Sequence, residues 1–178
     1  MRPIHKRLLY CATTVLLVFA TFQVPSLRAE TQQFPGELSL SKYGSGEFRR
    51  FGFLIYEAVL WAATDPEKPP IALQLTYKRE IPGKKIVDAS VQQMRDLGAD
   101  ENSLSNWAVA MAAIFPNVRP GDQITGIYRP GTAAFFYNNR PIGEIDDPEF
   151  ARLFFGIWLD PRTSEAQLRN QLLGQRAG

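Results

Sequence analysis

Gly46-Glu47-Phe48-Arg49-Arg50-Phe51-Gly52-Phe53-Leu54-Ile55-Tyr56-Glu57-Ala58-Val59-Leu60-Trp61 is the stretch on which the fold turns. Read with a period of two, Phe51, Phe53, Ile55, Val59 and Trp61 fall on one side, and Leu54, Tyr56, Ala58 and Leu60 on the other. Both sides are mostly apolar, which predicts a central strand covered on both faces, by helices on one and by a second layer or a cavity on the other. Glu57 is the single carboxylate in its apolar part, and a buried unpaired charge costs several kcal/mol or more. It therefore requires a cationic partner or a wet opening.

Outward from this strand, the flanking segments read as an ordered set of elements. Glu37–Ser41 alternates as a short strand, and Tyr43-Gly44-Ser45-Gly46 reads as the turn leading into the central strand. Ile71, Leu73, Leu75 and Tyr77 alternate with polar or small residues, which predicts a half-buried strand ended by Pro82-Gly83. Lys84–Leu97 reads as a helix stopped by Gly98, and Asp100 caps a second helix with the stripe Leu104, Trp107, Met111 and Phe115. A meander follows: Gln123–Tyr128, a Pro130-Gly131 turn, Thr132–Tyr137, an Asn138-Asn139 turn, and Arg140–Ile145, which Pro141 places at an edge. Asp147-Pro148 then opens a helix with Phe150, Leu153, Phe154, Ile157 and Trp158 inward, and Thr163 caps a last helix with Leu168 and Leu172 inward. The order predicts an α+β domain: a large antiparallel sheet with helices packed on one face.

The N-terminal end has a different character. A basic start, Met1–Arg7, precedes an apolar run, Leu8–Phe22, too short to span a bilayer comfortably, and Ala29 offers a small residue for cleavage. Residues 1–29 are read as a signal peptide and 30–178 as one mature domain, exported and most simply periplasmic, with no stable membrane span after cleavage. Cleavage removes four of the 20 Lys+Arg and none of the 18 Asp+Glu, leaving a net charge near −2. It also removes His5 and Cys11, the only residues of their kinds. The mature chain thus has no His/Cys metal site and no Cys or His nucleophile, and no cofactor motif or nucleic-acid patch is present.

The central strand, the run from Phe115-Pro116 to Pro120-Gly121-Asp122-Gln123-Ile124, the Phe-Phe-Tyr-Asn-Asn hairpin and Asp160-Pro161-Arg162 resemble the chalcone isomerase-like family, most closely its bacterial exported branch. The resemblance runs over about Glu37–Gly174 and implies an open-faced β-sandwich with a ligand cleft between sheet and helices. Plant chalcone isomerases close a flavanone ring by attack of a phenolate on an enone, stabilising the oxyanion through side-chain hydroxyls. By that resemblance the family's tyrosine, three residues after the strand-ending Gly83, falls on Ile86, and its asparagine on Gln93. Its strand threonine falls on Tyr56 and its late-helix serine or threonine near Gly156. The family arginine falls on Phe48, one place before Arg49. The hydroxyl donors of the isomerase are thus replaced, apart from Tyr56. Non-catalytic relatives of the same fold bind fatty acids through an arginine.

The resulting site expectations are Arg49, Tyr56, Ile86 and Gln93 for ligand binding, and Tyr56 with Glu57 as the catalytic pair if a reaction occurs. Glu57 has a second reading, an ion pair with Lys78 or Arg79 of the neighbouring strand. On an unbroken strand Arg49 and Glu57 would lie about 26 Å apart. The expected function is non-catalytic binding of a small apolar or amphipathic molecule. The alternatives are an intramolecular lyase or isomerase with another substrate, and a cell-envelope interaction protein with a vestigial cleft.

Overall fold

The computed structural model of the chain describes residues 30–36 and 38–174, and the signal-peptide reading of residues 1–29 lies outside them. Seven strands follow one another in space as they do in sequence: β1 (Thr31–Phe34), β2 (Leu38–Arg50), β3 (Phe53–Ala62), β4 (Ile71–Tyr77), β5 (Gln123–Arg129), β6 (Thr132–Tyr137) and β7 (Arg140–Ile145). Every neighbouring pair is antiparallel. Helices α1 (Gly83–Asp96) and α2 (Glu101–Ile114) are inserted between β4 and β5; α3 (Pro148–Leu159) and α4 (Ala166–Leu172) follow β7. The sheet curls, and the helices pack on one face, as an α+β open-faced sandwich requires.

The predicted central strand is two strands. The chain reverses at Phe51-Gly52, with positive φ at both (50° and 81°), so Arg50 pairs with Phe53 and Glu47 with Glu57. Positive φ at both central residues is the signature of a type I′ hairpin turn, whose twist matches that of the flanking strands. The turn is hidden in the sequence because Phe takes the place where Asn or Gly is usual. Conversely, Tyr43–Gly46 is no turn but the middle of the long strand β2. Gly44 and Gly46 are there because α4 crosses them: a Cβ on Gly44 would overlap the Leu172 carbonyl oxygen, and one on Gly46 the Gln171 side chain.

Burial on both faces holds for the far half of β3. Ala58, Leu60 and Ala62 face the helices, while Trp61 belongs to a smaller cluster on the other face with Phe34, Leu40, Ala72 and Ile127. Phe34 meets Trp61 edge-to-face at 5.8 Å. The near half, at the turn, leaves Phe53 exposed.

Helix α3 is the keystone of the layer. It buries Phe150, Leu153, Phe154, Ile157 and Trp158 as its period predicts, and Ala151, Phe155, Gly156 and Leu159 as well. It is wedged between the sheet and α1, so almost no face is left for solvent; a helix apolar all round is a buried one. Phe115, Phe135 and Phe154 form a cluster of edge-to-face and tilted rings with centroids 5.0 to 6.0 Å apart. Such ring pairs contribute about 0.5–1.5 kcal/mol each beyond their area. Thr163 is not the N-cap of α4, which is Glu165; its hydroxyl donates to the Ile157 carbonyl oxygen and accepts from the Glu165 backbone N–H.

Asp147 sets the start of α3. One carboxylate oxygen accepts from the backbone N–H of Glu149 and Phe150, and the other from the Trp107 indole of α2 at 2.9 Å. Burial alone would raise this carboxyl's pKa; the backbone and indole donors outweigh that and hold it below the ordinary aspartate value. A carboxyl whose folded pKa is depressed contributes stability above its unfolded pKa and loses it as pH falls through the folded one. We expect Asp147→Ala to cost about 2–4 kcal/mol near neutral pH, from a lost cap and an unsatisfied indole N–H. The deficit should shrink in acid. Denaturant unfolding of both proteins at neutral and acid pH checks this; an equal deficit at both would contradict it.

Candidate ligand cavity

Between the sheet and helices α1 and α3 lies a cavity of about 350 Å³, within the roughly 300–1,000 Å³ range of small-molecule sites. Phe48, Tyr56, Leu75 and Tyr77 line its sheet side; Ile86, Ala89, Ile157 and Trp158 line its helix side. The alternation of β3 puts Tyr56 on this wall, and Tyr77 follows because the two are register partners across β3 and β4. Their rings meet edge-to-face at 5.9 Å, and Phe48 stacks on Tyr56 at 4.9 Å.

Polar groups in this wall are sparse and unequal. The Trp158 indole N–H donates to the Tyr56 hydroxyl at 3.0 Å, tying α3 to β3. Ser90 donates to the Ile86 carbonyl oxygen, and the Gln93 side-chain oxygen accepts from Ser164. The Tyr77 hydroxyl has no hydrogen-bond partner among the described residues, although the residue is only 3% exposed. Burial raises the pKa of both tyrosines far above the ordinary value; for Tyr56 the Trp158 N–H lowers it in part, and the negative charge of Glu165 raises it. Both are therefore neutral hydroxyls, and that of Tyr77 is free to meet a ligand. Arg50, Lys85 and Glu165 also line the cavity, with Arg50 and Lys85 at its solvent-exposed rim.

Of the residues singled out in the sequence, Tyr56, Ile86 and Gln93 lie on the cavity wall, and Arg49 does not. Arg49 points away and pairs with Glu47 at 2.8 Å; its neighbour Arg50 is the arginine at the cavity. Glu57 is exposed on the opposite side of β3 from Tyr56 and pairs with Lys78 at 3.0 Å, so Tyr56 and Glu57 are not brought together. The turn at Phe51-Gly52 also cancels the 26 Å separation: Arg49 and Glu57 stand on adjacent strands, with Glu47 between them as the register partner of Glu57. Gly156, where the family hydroxyl would fall, faces Leu97 rather than the cavity; a Cβ there would lie 3.3 Å from Leu97 Cδ1. Tyr77, Trp158 and Arg50 join Tyr56, Ile86 and Gln93 on the wall without being among the site expectations. The pairing of the two tyrosine-bearing strands is what brings Tyr77 beside Tyr56.

No cluster of metal-ligating side chains occurs among the described residues, and none of their helices is long and apolar enough to cross a membrane.

Comparison with known proteins adds three findings. A family model described as chalcone isomerase-like matches residues 39–174. An uncharacterized protein of Haemophilus influenzae is 27% identical over 135 residues, which cover 74% of this chain and 67% of that one. Among solved structures, a fatty-acid binding protein of Arabidopsis thaliana superposes with a TM-score of 0.59 at 12% identity, covering 81% of this chain and 96% of that chain. At that identity the likeness concerns the fold.

The two tyrosines should separate by substitution. Tyr56→Phe strips the Trp158 N–H of its partner and should cost about 1–3 kcal/mol, whereas Tyr77→Phe removes an unpartnered hydroxyl and should be close to neutral. Groups with raised folded pKa values contribute stability below the unfolded pKa, near 10, and lose it as pH rises. Both variants should therefore lose less stability than the parent on going from neutral pH to above pH ~10. Thermal unfolding across that range checks both statements, and equal costs for the two variants would overturn the assignment.

Proposed function

The chain belongs to the chalcone isomerase-like family, and we propose that it is a non-catalytic binding protein for a small apolar or amphipathic molecule of the fatty-acid kind. The observation that carries this reading is the cavity itself: a largely apolar wall onto which the unpartnered Tyr77 hydroxyl opens, and a cationic rim at Arg50 and Lys85. Such a wall binds a hydrocarbon chain by burial, at about 25 cal/mol per Å² before ordering costs. The rim supplies two cations for a carboxylate or other anionic head, and guanidinium is suited to bidentate contact.

Catalysis of flavanone closure demands more. Donors must stand where the oxyanion develops, each worth roughly 3–4 kcal/mol. Ile86 supplies none, Gly156 supplies none and faces elsewhere, and Tyr56, whose oxygen accepts from the Trp158 N–H, keeps a single O–H in place of the family's set of donors. The substitutions that remove donors make the wall more apolar, which favours chain binding. The fatty-acid binding protein of similar fold supports the reading at the level of architecture.

The test is titration of purified protein with a fluorescent fatty-acid analogue, displaced by an unlabelled long-chain fatty acid. We expect saturable uptake, weakened about tenfold or more by Ile86→Trp, which fills the cavity with a larger ring. No cyclisation of a chalcone is expected. Absence of uptake by a folded sample would favour the envelope-partner reading, and chalcone turnover at enzymatic rates would favour the isomerase.

We propose in addition that the protein is exported by residues 1–29 and acts in the periplasm, which the basic start and short apolar run support. Fused to a reporter that functions only after export, residues 1–29 should activate it; a silent reporter with the fusion retained in the cytosol would refute the localisation.

A further inference from the structure

We propose that the β2–β3 hairpin tip is a membrane-docking element: Phe51 and Phe53, flanked by Arg50, Arg79 and Lys85, seat in the headgroup–acyl boundary of an anionic bilayer beside the cavity rim. The proposal deepens the ligand reading, on which it rests for its purpose, by naming a lipid surface as the place where the ligand is taken up or delivered.

Phe51 is 86% exposed and Phe53 58% exposed. They are two of the four exposed large apolar side chains among the described residues, and they bracket one turn. Exposure alone is ordinary for a scattered residue such as Val109. The backbone makes Phe51 different. Its φ of 50° lies in the left-handed region, where a bulky side chain is strained and Asn or Gly is the favoured occupant of a type I′ turn. Phe51 is thus unfavourable for the fold in two ways, by strain and by exposure, with no core packing in return and only the Arg50 guanidinium over its ring. Strain held at an exposed, unpacked residue points to a contact outside the fold.

The charges around the tip indicate the contact's chemistry. The Arg50 guanidinium lies 5.4 Å from the Phe51 ring centroid, and that of Arg79 lies 4.8 Å from Phe53. Neither arginine, nor Lys85, forms an ion pair among the described residues. The nearby carboxylates Glu47 and Glu57 are already paired with Arg49 and Lys78; Glu80, beside Arg79, and Glu165, on the cavity wall, form no ion pair among the described residues. Two aromatic rings with unpaired cations over and beside them match the layered chemistry of a bilayer surface: apolar below, anionic phosphates above. Arg50 belongs to both features, since it lines the cavity and covers Phe51, so a tip seated in lipid places the rim at the headgroups.

The experiment is sedimentation of the purified protein with vesicles of phosphatidylcholine alone and of phosphatidylcholine with phosphatidylglycerol, beside a thermal melt and the fluorescent uptake assay from solution. Binding should favour the anionic vesicles and weaken with salt. Phe51→Asn should lower vesicle binding about tenfold or more, the loss expected when a largely buried aromatic anchor is removed, while the melting temperature holds or rises and uptake from solution is unchanged. Arg79→Gln should reduce the preference for anionic vesicles. Equal sedimentation of parent and Phe51→Asn overturns the proposal, as does no vesicle binding at all, even if the tip proves to engage another protein. Phe51-dependent vesicle binding without any uptake would sustain the docking element and sink the ligand reading; Ile86→Trp should retain vesicle binding whichever way the uptake assay falls.

Discussion

One hydrogen bond holds the two layers in the relation on which the site depends. The Trp158 indole N–H of α3 meets the Tyr56 hydroxyl of β3 across the space between helix and sheet. Both side chains are long and reach toward each other, so the contact is made at their tips and not along their flanks. A pair of short aliphatic residues at these positions would let the layers close together and fill the gap. The polar tip contact instead stabilises a separation, and leaves room beside it for the Tyr77 hydroxyl with no partner of its own. That hydroxyl opens onto the cavity, where a molecule with an acceptor can meet it. The opening of the cavity and the exposure of the Tyr77 hydroxyl to it thus both go with the same bridge.

The rest of the layer is arranged to bear that bridge. Asp147 fixes where α3 begins by capping it and tying it to α2 through Trp107. The phenylalanine cluster under Phe154 fixes its depth. At the far edge, α4 crosses β2 where Gly44 and Gly46 leave no side chain in its way. The helices thus press closely at one side of the sheet and stand off at the other, and the cavity occupies the stand-off.

Sequence pattern conveyed most of this architecture and little of the site. Strands β4 to β7, their turns and helices α1 to α3 were legible because period, caps and turn residues agree in each. Strand β2 and its turn were not. Gly44 and Gly46 signal a turn locally, but their reason is a helix more than a hundred residues on in the chain. Phe51-Gly52 turns the chain with a residue that carries no turn signal. The family resemblance led to Ile86, Gln93 and Tyr56 on the wall; it put the arginine on Phe48, which also lines the cavity, whereas the candidate Arg49 turns away and the arginine at the cavity is Arg50, beyond a bulge between Phe48 and Arg49. Tyr77 and Trp158 looked like core from their periods, and they are core in burial; what distinguishes them is where their polar tips end, which no period reports.

The meander has a consequence for how the molecule assembles in time. Strands that neighbour each other in space are joined by short connections, with one exception: β4 ends at Tyr77 and β5 begins at Gln123, with α1 and α2 between them. Closing that long loop carries the largest entropic penalty in the sheet, so the β4–β5 seam is the pairing that topology defers. Leu75 and Tyr77 on one side of the seam and Ile124 on the other all line the cavity. The cavity is thus completed only when the two halves of the sheet join, so a molecule held in it stabilises that seam and, with it, the junction of the two halves.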